Sequence, residues 1–267
     1  MIGAIIGDIV GSRFEWNNIK TKEFTFFHPD CHFTDDSVMT LAVGDALLEH
    51  IGSGESLAEL TVQKMQGYGR KYRKAGYGGL FRRWLKAKAS QPYGSFGNGS
   101  AMRVSAVAHV ASSPEEVQKL SHEVTAVTHD HEEGLKGAEA TAMAIYLART
   151  GAALEEIHEL ICLQYYAIDF TLDSIRPSYT FDATCQGSVP QALQCFFEST
   201  GFEDCIRNAI SLGGDCDTTA AIAGSVAAAC YGVPGHLRNK ALTYLDDDQR
   251  ALLARFEAAY PNASGRR

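Results

Sequence analysis

Apolar residues recur at helical spacing along most of this chain, and sustained alternation is rare. From Ser37 to His50, Val38, Leu41, Ala42 and Leu48 mark one helical face, with Ser37 available as the N-cap. Pro114 to Val124 opens with Ser113 as cap, Pro114 at the first position and Glu116 three residues after the cap, the pattern of a capping box. His131 to Leu147 is rich in Ala, Glu, Leu and Met, all good helix formers. Stretches 153–170, 190–197, 202–211, 218–231 and 246–260 read the same way. The best strand signal is Lys22 to Phe27, and Pro29 closes it. Glycine clusters at 76–79, 94–99 and 213–214 punctuate the helices, and the tail from Pro261 is expected to fray. With no linker, low-complexity tract or repeat, the pattern predicts one compact all-α domain over residues 1–267, with little or no sheet.

Composition narrows the class without changing that picture. A chain of 267 residues with 45% hydrophobic and 21% charged residues can bury one sizeable core. Its net charge of −8 argues against general affinity for nucleic acid or a membrane surface. No apolar run approaches the roughly 20 residues of a membrane span, and the stretch from Met1 to Asp8 lacks the features of a signal peptide. Seven cysteines, odd in number and with no C-x-x-C pair, suit reduced thiols, so the expected compartment is the cytoplasm.

The polar positions carry the chemistry. Thr34-Asp35-Asp36 and Gly213-Gly214-Asp215-Cys216-Asp217-Thr218 each place two carboxylates and a hydroxyl beside a small, apolar, helix-like stretch. For either cluster alone, helix capping with a first-turn acid is the simpler reading. Together they are more specific. The helix that starts at Thr218 is almost free of bulk and must lie deep, where carboxylates without a cation are costly. A two-metal site needs several hard oxygens shared by ions roughly 3.5–4 Å apart, and Thr34, Asp35, Asp36, Asp215, Asp217 and Thr218 supply them. The Gly-Gly pair leaves the backbone free to approach a ligand.

Four further features add to this. Gly94-Ser95-Phe96-Gly97-Asn98 precedes a helical stretch and exposes amides suited to phosphate, although the segment also reads as a plain helix-initiating loop. Glu15 is the best-placed carboxylate outside the clusters for proton transfer, and His129 is either a ligand contact or structural. Arg70 to Lys88 carries eight cations and no acid, by default a solvated helical face and, on the sharper reading, a docking surface for an anionic macromolecule.

These residues resemble the ADP-ribosylglycohydrolases, the family that includes the dinitrogenase-reductase-activating glycohydrolases and the vertebrate enzymes that remove ADP-ribose from proteins. The resemblance spans nearly the whole chain. It rests on Gly3-Ala4-Ile5-Ile6-Gly7-Asp8 with Phe14-Glu15, on Thr34-Asp35-Asp36-Ser37, Gly76-Tyr77-Gly78, Gly97-Asn98-Gly99-Ser100-Ala101-Met102-Arg103 and Thr128-His129, on Cys185-Gln186-Gly187-Ser188, and on Gly213-Gly214-Asp215-Cys216-Asp217-Thr218. It implies a compact orthogonal multi-helix bundle and two Mg²⁺ or Mn²⁺ ions held by Thr34, Asp35, Asp36, Asp215, Asp217 and Thr218. It also implies an ADP-ribose-containing substrate, with Gly94, Ser95, Phe96, Gly97 and Asn98 wrapping its distal part, Phe96 stacking, and Gly78 and His129 on the diphosphate and adenosine side. Glu15, Asp35 and Asp36 are then the candidate catalytic residues, for hydrolysis that releases ADP-ribose from a protein or a small molecule. One departure bears on linkage. Arginine-directed bacterial relatives carry an aspartate three residues before the motif asparagine, where this chain has Ser95, which tilts the expectation towards an O-linked substrate. A catalytically silent ADP-ribose-binding or structural member, and a phosphohydrolase cutting the diphosphate, are the rival readings.

Overall fold

The computed structural model describes residues 1–88 and 90–261. Its helices, in chain order, are α1 (Ile2–Gly11), α2 (Asp35–Ser53), α3 (Leu57–Lys71), α4 (Gly79–Trp84), α5 (Gly99–Met102), α6 (Ser105–Val110), α7 (Pro114–Thr125), α8 (Glu132–Thr150), α9 (Leu154–Gln164), α10 (Leu172–Ile175), α11 (Cys185–Phe197), α12 (Phe202–Leu212), α13 (Cys216–Tyr231), α14 (Gly235–Leu242) and α15 (Asp247–Ala259). Among the described residues the architecture is all-α, with one isolated antiparallel bridge, Gly97 to Thr184, as its only β pairing.

Helix α13 runs through the middle, buried from Cys216 to Ala228, and α1, α8, α11 and α12 pack around it. Its lack of bulk lets α1 approach to backbone contact. A Cβ at Gly7 would sit 2.0 Å from the Ala220 carbonyl oxygen, and one at Gly11 would sit 2.5 Å from the Cα of Asp217. Gly3, Gly7 and Gly11, four residues apart, therefore form the face of α1 that meets α13. This close packing brings the C-terminal end of α1, with Asp8, against the start of α13. Helix α2 lies against α1, so three helices converge at one end of the bundle.

Several sequence expectations are corrected here. Lys22 to Phe27 is not a strand, although its alternation is real: Phe26 is buried, Phe24 half-buried, and Glu23 and Thr25 are exposed. Its carbonyls bond to arginines in place of a partner strand, with Arg207 Nη1 donating to Lys22 O and Phe24 O, both at 2.9 Å, and Arg13 Nη2 to Thr25 O at 2.7 Å. Helix α2 begins two residues earlier than expected, capped by Thr34 and not by Ser37. Ser113 does cap α7, but the Glu116 carboxylate reaches back to the Ser112 amide, one residue beyond a standard capping box. The helix expected over 153–170 stops at Gln164, because Tyr166 and Ile168 turn back into the core and the backbone follows. Pro190 does not open its helix. Helix α11 starts at Cys185 under a Thr184 cap and carries Pro190 inside, where the missing N–H removes only one bond. Residues 70–88 are the end of α3, a turn and α4, not one helical face. The tail from Asn262 lies outside the described residues.

Candidate active site

The three converging helix ends build an acidic floor. Asp8, fully buried on α1, accepts from the Thr34 amide at 2.9 Å, the Thr34 hydroxyl at 2.7 Å and the Ser37 amide at 3.0 Å, and from the Ser37 hydroxyl. One carboxylate thus satisfies orphan donors at the α2 N-terminus and fixes where Asp35 and Asp36 point. Asp35 lies against Gly76, where a Cβ would sit 3.1 Å from Asp35 Oδ1 and the φ of +108° favours glycine. Asp36 is 3% exposed. Its Oδ2 accepts from Thr34 Oγ1 at 3.5 Å and from Thr218 Oγ1 at 3.3 Å, and its Oδ1 is buried with no partner.

The Thr218 bond joins the two clusters across 182 positions of sequence. On the α13 side, Asp215 and Asp217 come within reach of Glu15, and one carboxylate oxygen from each of the three lies within 4.8 Å of the others. Asn98 Nδ2 donates to Asp215 Oδ2 at 2.8 Å and to Ser188 Oγ at 3.1 Å. The loop before α13 holds its shape through Gly213 and Gly214, both at positive φ, and through Asn18, which donates to Gly214 O at 2.9 Å and accepts from Gly214 N at 2.7 Å. A Cβ on Gly214 would fall 2.7 Å from the Tyr179 ring. The glycine pair therefore faces protein, not ligand, which corrects the sequence reading.

Above this floor opens a cavity of about 430 Å³, walled by the 76–81 turn, the 93–99 loop and residues 181–183. The 93–99 loop is pinned to residues 183–185: Asn98 N donates to Ala183 O at 2.8 Å and Cys185 N to Phe96 O at 2.9 Å. Four of its amides are engaged within the protein, since Tyr93 N bonds Thr128 O at 3.3 Å, Gly94 N bonds Asp130 Oδ1 at 2.7 Å and Gly97 N bonds Ser95 Oγ at 3.2 Å besides the Asn98 bond. The helix that follows, α5, is a single turn. The loop is thus a poorer phosphate cradle than its composition indicates.

A sequence profile of the ADP-ribosylglycohydrolase family matches residues 1–264. This chain belongs to that family. It is 27% identical to human ADP-ribosylhydrolase ARH3 over 313 aligned positions, covering 87% of this chain and 84% of the relative. It is also 26% identical to the ADP-ribosyl-[dinitrogen reductase] glycohydrolase of Rhodospirillum rubrum, over 75% of this chain and 69% of that one. Its fold matches a solved ADP-ribosylglycohydrolase-related protein complex with a TM-score of 0.71, over 97% of this chain and 96% of the other, at 23% identity. Family and relatives identify an enzyme, an ADP-ribosylglycohydrolase.

Electrostatics in this glycohydrolase are dominated by crowded carboxylates. Burial, then the charge of Asp8, pushes Asp35 up to about 7. Burial, then the charge of Asp215, pushes Glu15 up to about 7. Asp36 and Asp217 are raised well above the ordinary range by burial and then by neighbouring aspartates. Such a cluster favours either protons or a cation. The unpartnered Asp36 Oδ1 and the all-oxygen donor set fit a hard divalent ion.

Of the residues singled out in the sequence, Glu15, Asp35, Asp36, Gly78, Ser95, Gly97, Asn98, His129, Asp215, Asp217 and Thr218 line the cavity. Thr34 sits behind them with its hydroxyl on Asp8. Gly94 and Phe96 do not line it, and Phe96 is 42% exposed beside the His131 ring. The glycohydrolase wall instead includes residues the sequence reading passed over. Trp16 and Phe181, both exposed, stack on each other at 5.4 Å at a wall of the cavity. Arg103 is fully buried and pushed down to about 10 by that burial. Its Nη2 donates to Thr128 Oγ1 at 2.7 Å and to His129 Nδ1 at 3.3 Å. An Nδ1 that accepts leaves the proton on Nε2, which faces Gly97 and Gly99. Burial, then the Arg103 charge, keeps the His129 imidazole well below its usual pKa, so it is a neutral donor.

Proposed function

We propose that this enzyme uses two Mg²⁺ or Mn²⁺ ions to hydrolyse an O-linked ADP-ribosyl bond at the anomeric carbon, releasing intact ADP-ribose. The observation that carries the reading is the Thr218 to Asp36 contact of 3.3 Å, which merges the clusters into one buried acidic floor beneath an open cavity. Thr34, Asp35, Asp36, Asp215, Asp217 and Thr218 would hold the ions. When bound, the pair supplies Lewis-acid and templating chemistry at the ribose hydroxyls beside the scissile carbon.

The chain's own groups do the rest. Asp35 or Asp36 orients the attacking water and accepts its proton as the water oxygen bonds to the anomeric carbon. Glu15, half-buried and raised to about 7, has a proton to give to the departing acceptor oxygen as the glycosidic bond breaks. Asn98 keeps the Asp215 carboxylate in one orientation through its 2.8 Å bond. His129 donates from Nε2 to a phosphate oxygen, with Gly78 and Gly97 leaving the backbone close to the ligand. Ser95 at the wall, where an aspartate would suit an arginine linkage, supports the O-linked class.

Incubation with serine-, arginine- and acetyl-linked ADP-ribose, with and without Mg²⁺, tests this. Release of ADP-ribose from the serine or acetyl substrate, lost in EDTA, is expected. AMP among the products, turnover that EDTA leaves intact, or turnover of the arginine substrate alone would each overturn a named part of the reading.

A further inference from the structure

The 76–85 segment separates two cavities of opposite character. Gly76, Gly78, Leu80 and Phe81 face the acidic one, and Tyr77, Arg82 and Leu85 face another of about 630 Å³ between α3 and α4. Five cations ring this second cavity, Arg70, Arg73, Arg82, Lys86 and Lys88, and no carboxylate lines it. Several cations elsewhere are paired, Lys22, Lys64, Lys136, Arg207, Arg238 and Arg255 among them, while others such as Arg13 and Arg149 bond backbone carbonyls. Among the described residues, none of the five is within 4.0 Å of a carboxylate. Arg70 and Arg82 occupy last helical turns, where a cation offsets the helix dipole. Arg73 Nε donates to Arg70 O at 3.2 Å, a last-turn carbonyl of α3, so it too serves that helix end, whereas Lys86 and Lys88 lie beyond α4 and that explanation does not reach them.

The cavity has a built floor. Leu85 and Tyr77 are buried there, and the Tyr77 hydroxyl is buried without a partner. Gln66 Nε2 donates to Trp84 O at 3.3 Å and Ala87 O at 3.0 Å, tying α3 to the opposite wall. In a chain of net charge −8, a concave surface free of acids and ringed by guanidinium and ammonium groups reverses the local field.

We infer that this cavity is a second binding site, for a phosphate-bearing ligand of nucleotide size. Phosphate oxygens meet the guanidinium groups of Arg70 and Arg73, whose forks match phosphate geometry, and the ammonium of Lys86, and the flat part lies over Tyr77 and Leu85. The ligand is either a free nucleotide or a phosphorylated part of the enzyme's own substrate. The site does not depend on the chemistry proposed for the acidic cavity.

Calorimetric titration of the full chain with inorganic pyrophosphate, in EDTA, is the test. Without cations the acidic floor repels anions, so saturable binding reports the basic cavity. One equivalent is expected, with affinity falling as salt rises, and Arg73→Glu with Lys86→Glu should weaken it at least tenfold. No saturable binding, or binding that this double variant retains, overturns the inference. ADP that competes with pyrophosphate supports a free nucleotide as ligand. Pyrophosphate binding without ADP competition, together with slower turnover of macromolecular but not small ADP-ribosyl substrates in the double variant, supports the substrate's own phosphates. Failure of the proposed hydrolysis would appear as absent ADP-ribose release and leave this titration unchanged.

Discussion

The two acidic clusters look alike in sequence and are held in different ways. Around Thr34 to Asp36, the protein supplies four donors to one hidden carboxylate, Asp8, and the helix is capped by Thr34. Around Asp215 to Thr218, α13 has no side-chain cap, and the loop is held through its backbone by Asn18. The carboxylate of Asp217 accepts from the neighbouring Thr218 amide, at 3.0 Å. The first cluster is organised by a carboxylate whose charge the fold uses up. In the second, Asn98 holds Asp215, and Asp217 is left with little to offset its charge. A buried acid with its donors in place is a structural part, whereas one without them is a vacancy for a cation or a proton.

That contrast can be broken directly. Asp217→Asn should reduce turnover by on the order of 10³-fold or more, the scale of losing a main source of transition-state stabilisation. The metal-free thermal midpoint of this variant should equal or exceed that of the parent, because a crowded buried charge has gone. Asp8→Ala should do the reverse to the fold. It strands the Thr34 and Ser37 donors in the core and should cost about 3–5 kcal/mol in denaturant unfolding. A stable Asp8→Ala variant, or an Asp217→Asn variant that unfolds more easily, would show that the assignment of roles is inverted.

The legibility of these residues in sequence follows the same divide. Asp35, Asp36, Asp215 and Asp217 stand out because carboxylates and hydroxyls crowd into a few positions, a density that capping alone does not need. Asp8 is a single acid in an apolar helix, and its donors lie 26 and 29 positions away, so nothing local marks it. Asn18 is hidden for the same reason, with its partner 196 positions distant. A signal was present for the closest packing, since Gly3, Gly7 and Gly11 repeat at one helical face, the spacing by which two backbones can touch. The all-α class was readable from periodicity. The strand at 22–27 was misread because alternation reports a buried face, not a hydrogen-bonded neighbour, and here arginines supply the bonds. Phe96 was overvalued and the Trp16–Phe181 pair missed, because the cavity wall is assembled from segments that meet only after folding.

A smaller effect sharpens the view of the acidic floor as a whole. Asp35 and Glu15 are raised to about 7, so the metal-free fold binds more protons than the unfolded chain from about pH 4 upwards. The stability this contributes is complete below the unfolded values and is lost as pH rises through 7. The metal-free thermal midpoint should therefore fall between pH 5 and pH 8. Since a cation competes with those protons, saturating Mg²⁺ should raise the midpoint more at pH 8 than at pH 6. Equal shifts at the two pH values, followed by calorimetry or intrinsic fluorescence, would mean that the raised carboxylates are not the ones that meet the ion.

The smallest expected change separates the backbone of the second cluster from its carboxylates. Asn18→Ala removes the donor to Gly214 O and the acceptor for Gly214 N, and with them the local bonds to Phe14 O and Glu15 O, without removing a carboxylate. Loss of these bonds should cost about 1–2 kcal/mol in denaturant unfolding, the scale of a few hydrogen bonds at a part-buried site. Because Gly214 packs against the Tyr179 ring and Asn98 still holds Asp215 Oδ2 at 2.8 Å, Asp215 should stay near its place. Turnover at saturating Mg²⁺ should then stay within a few-fold of the parent, while the Mg²⁺ concentration for half-maximal activity rises. A collapse of turnover that excess Mg²⁺ does not restore would mean that Asn18 orders the acids themselves, and the second cluster would then depend on a remote anchor as fully as the first depends on Asp8.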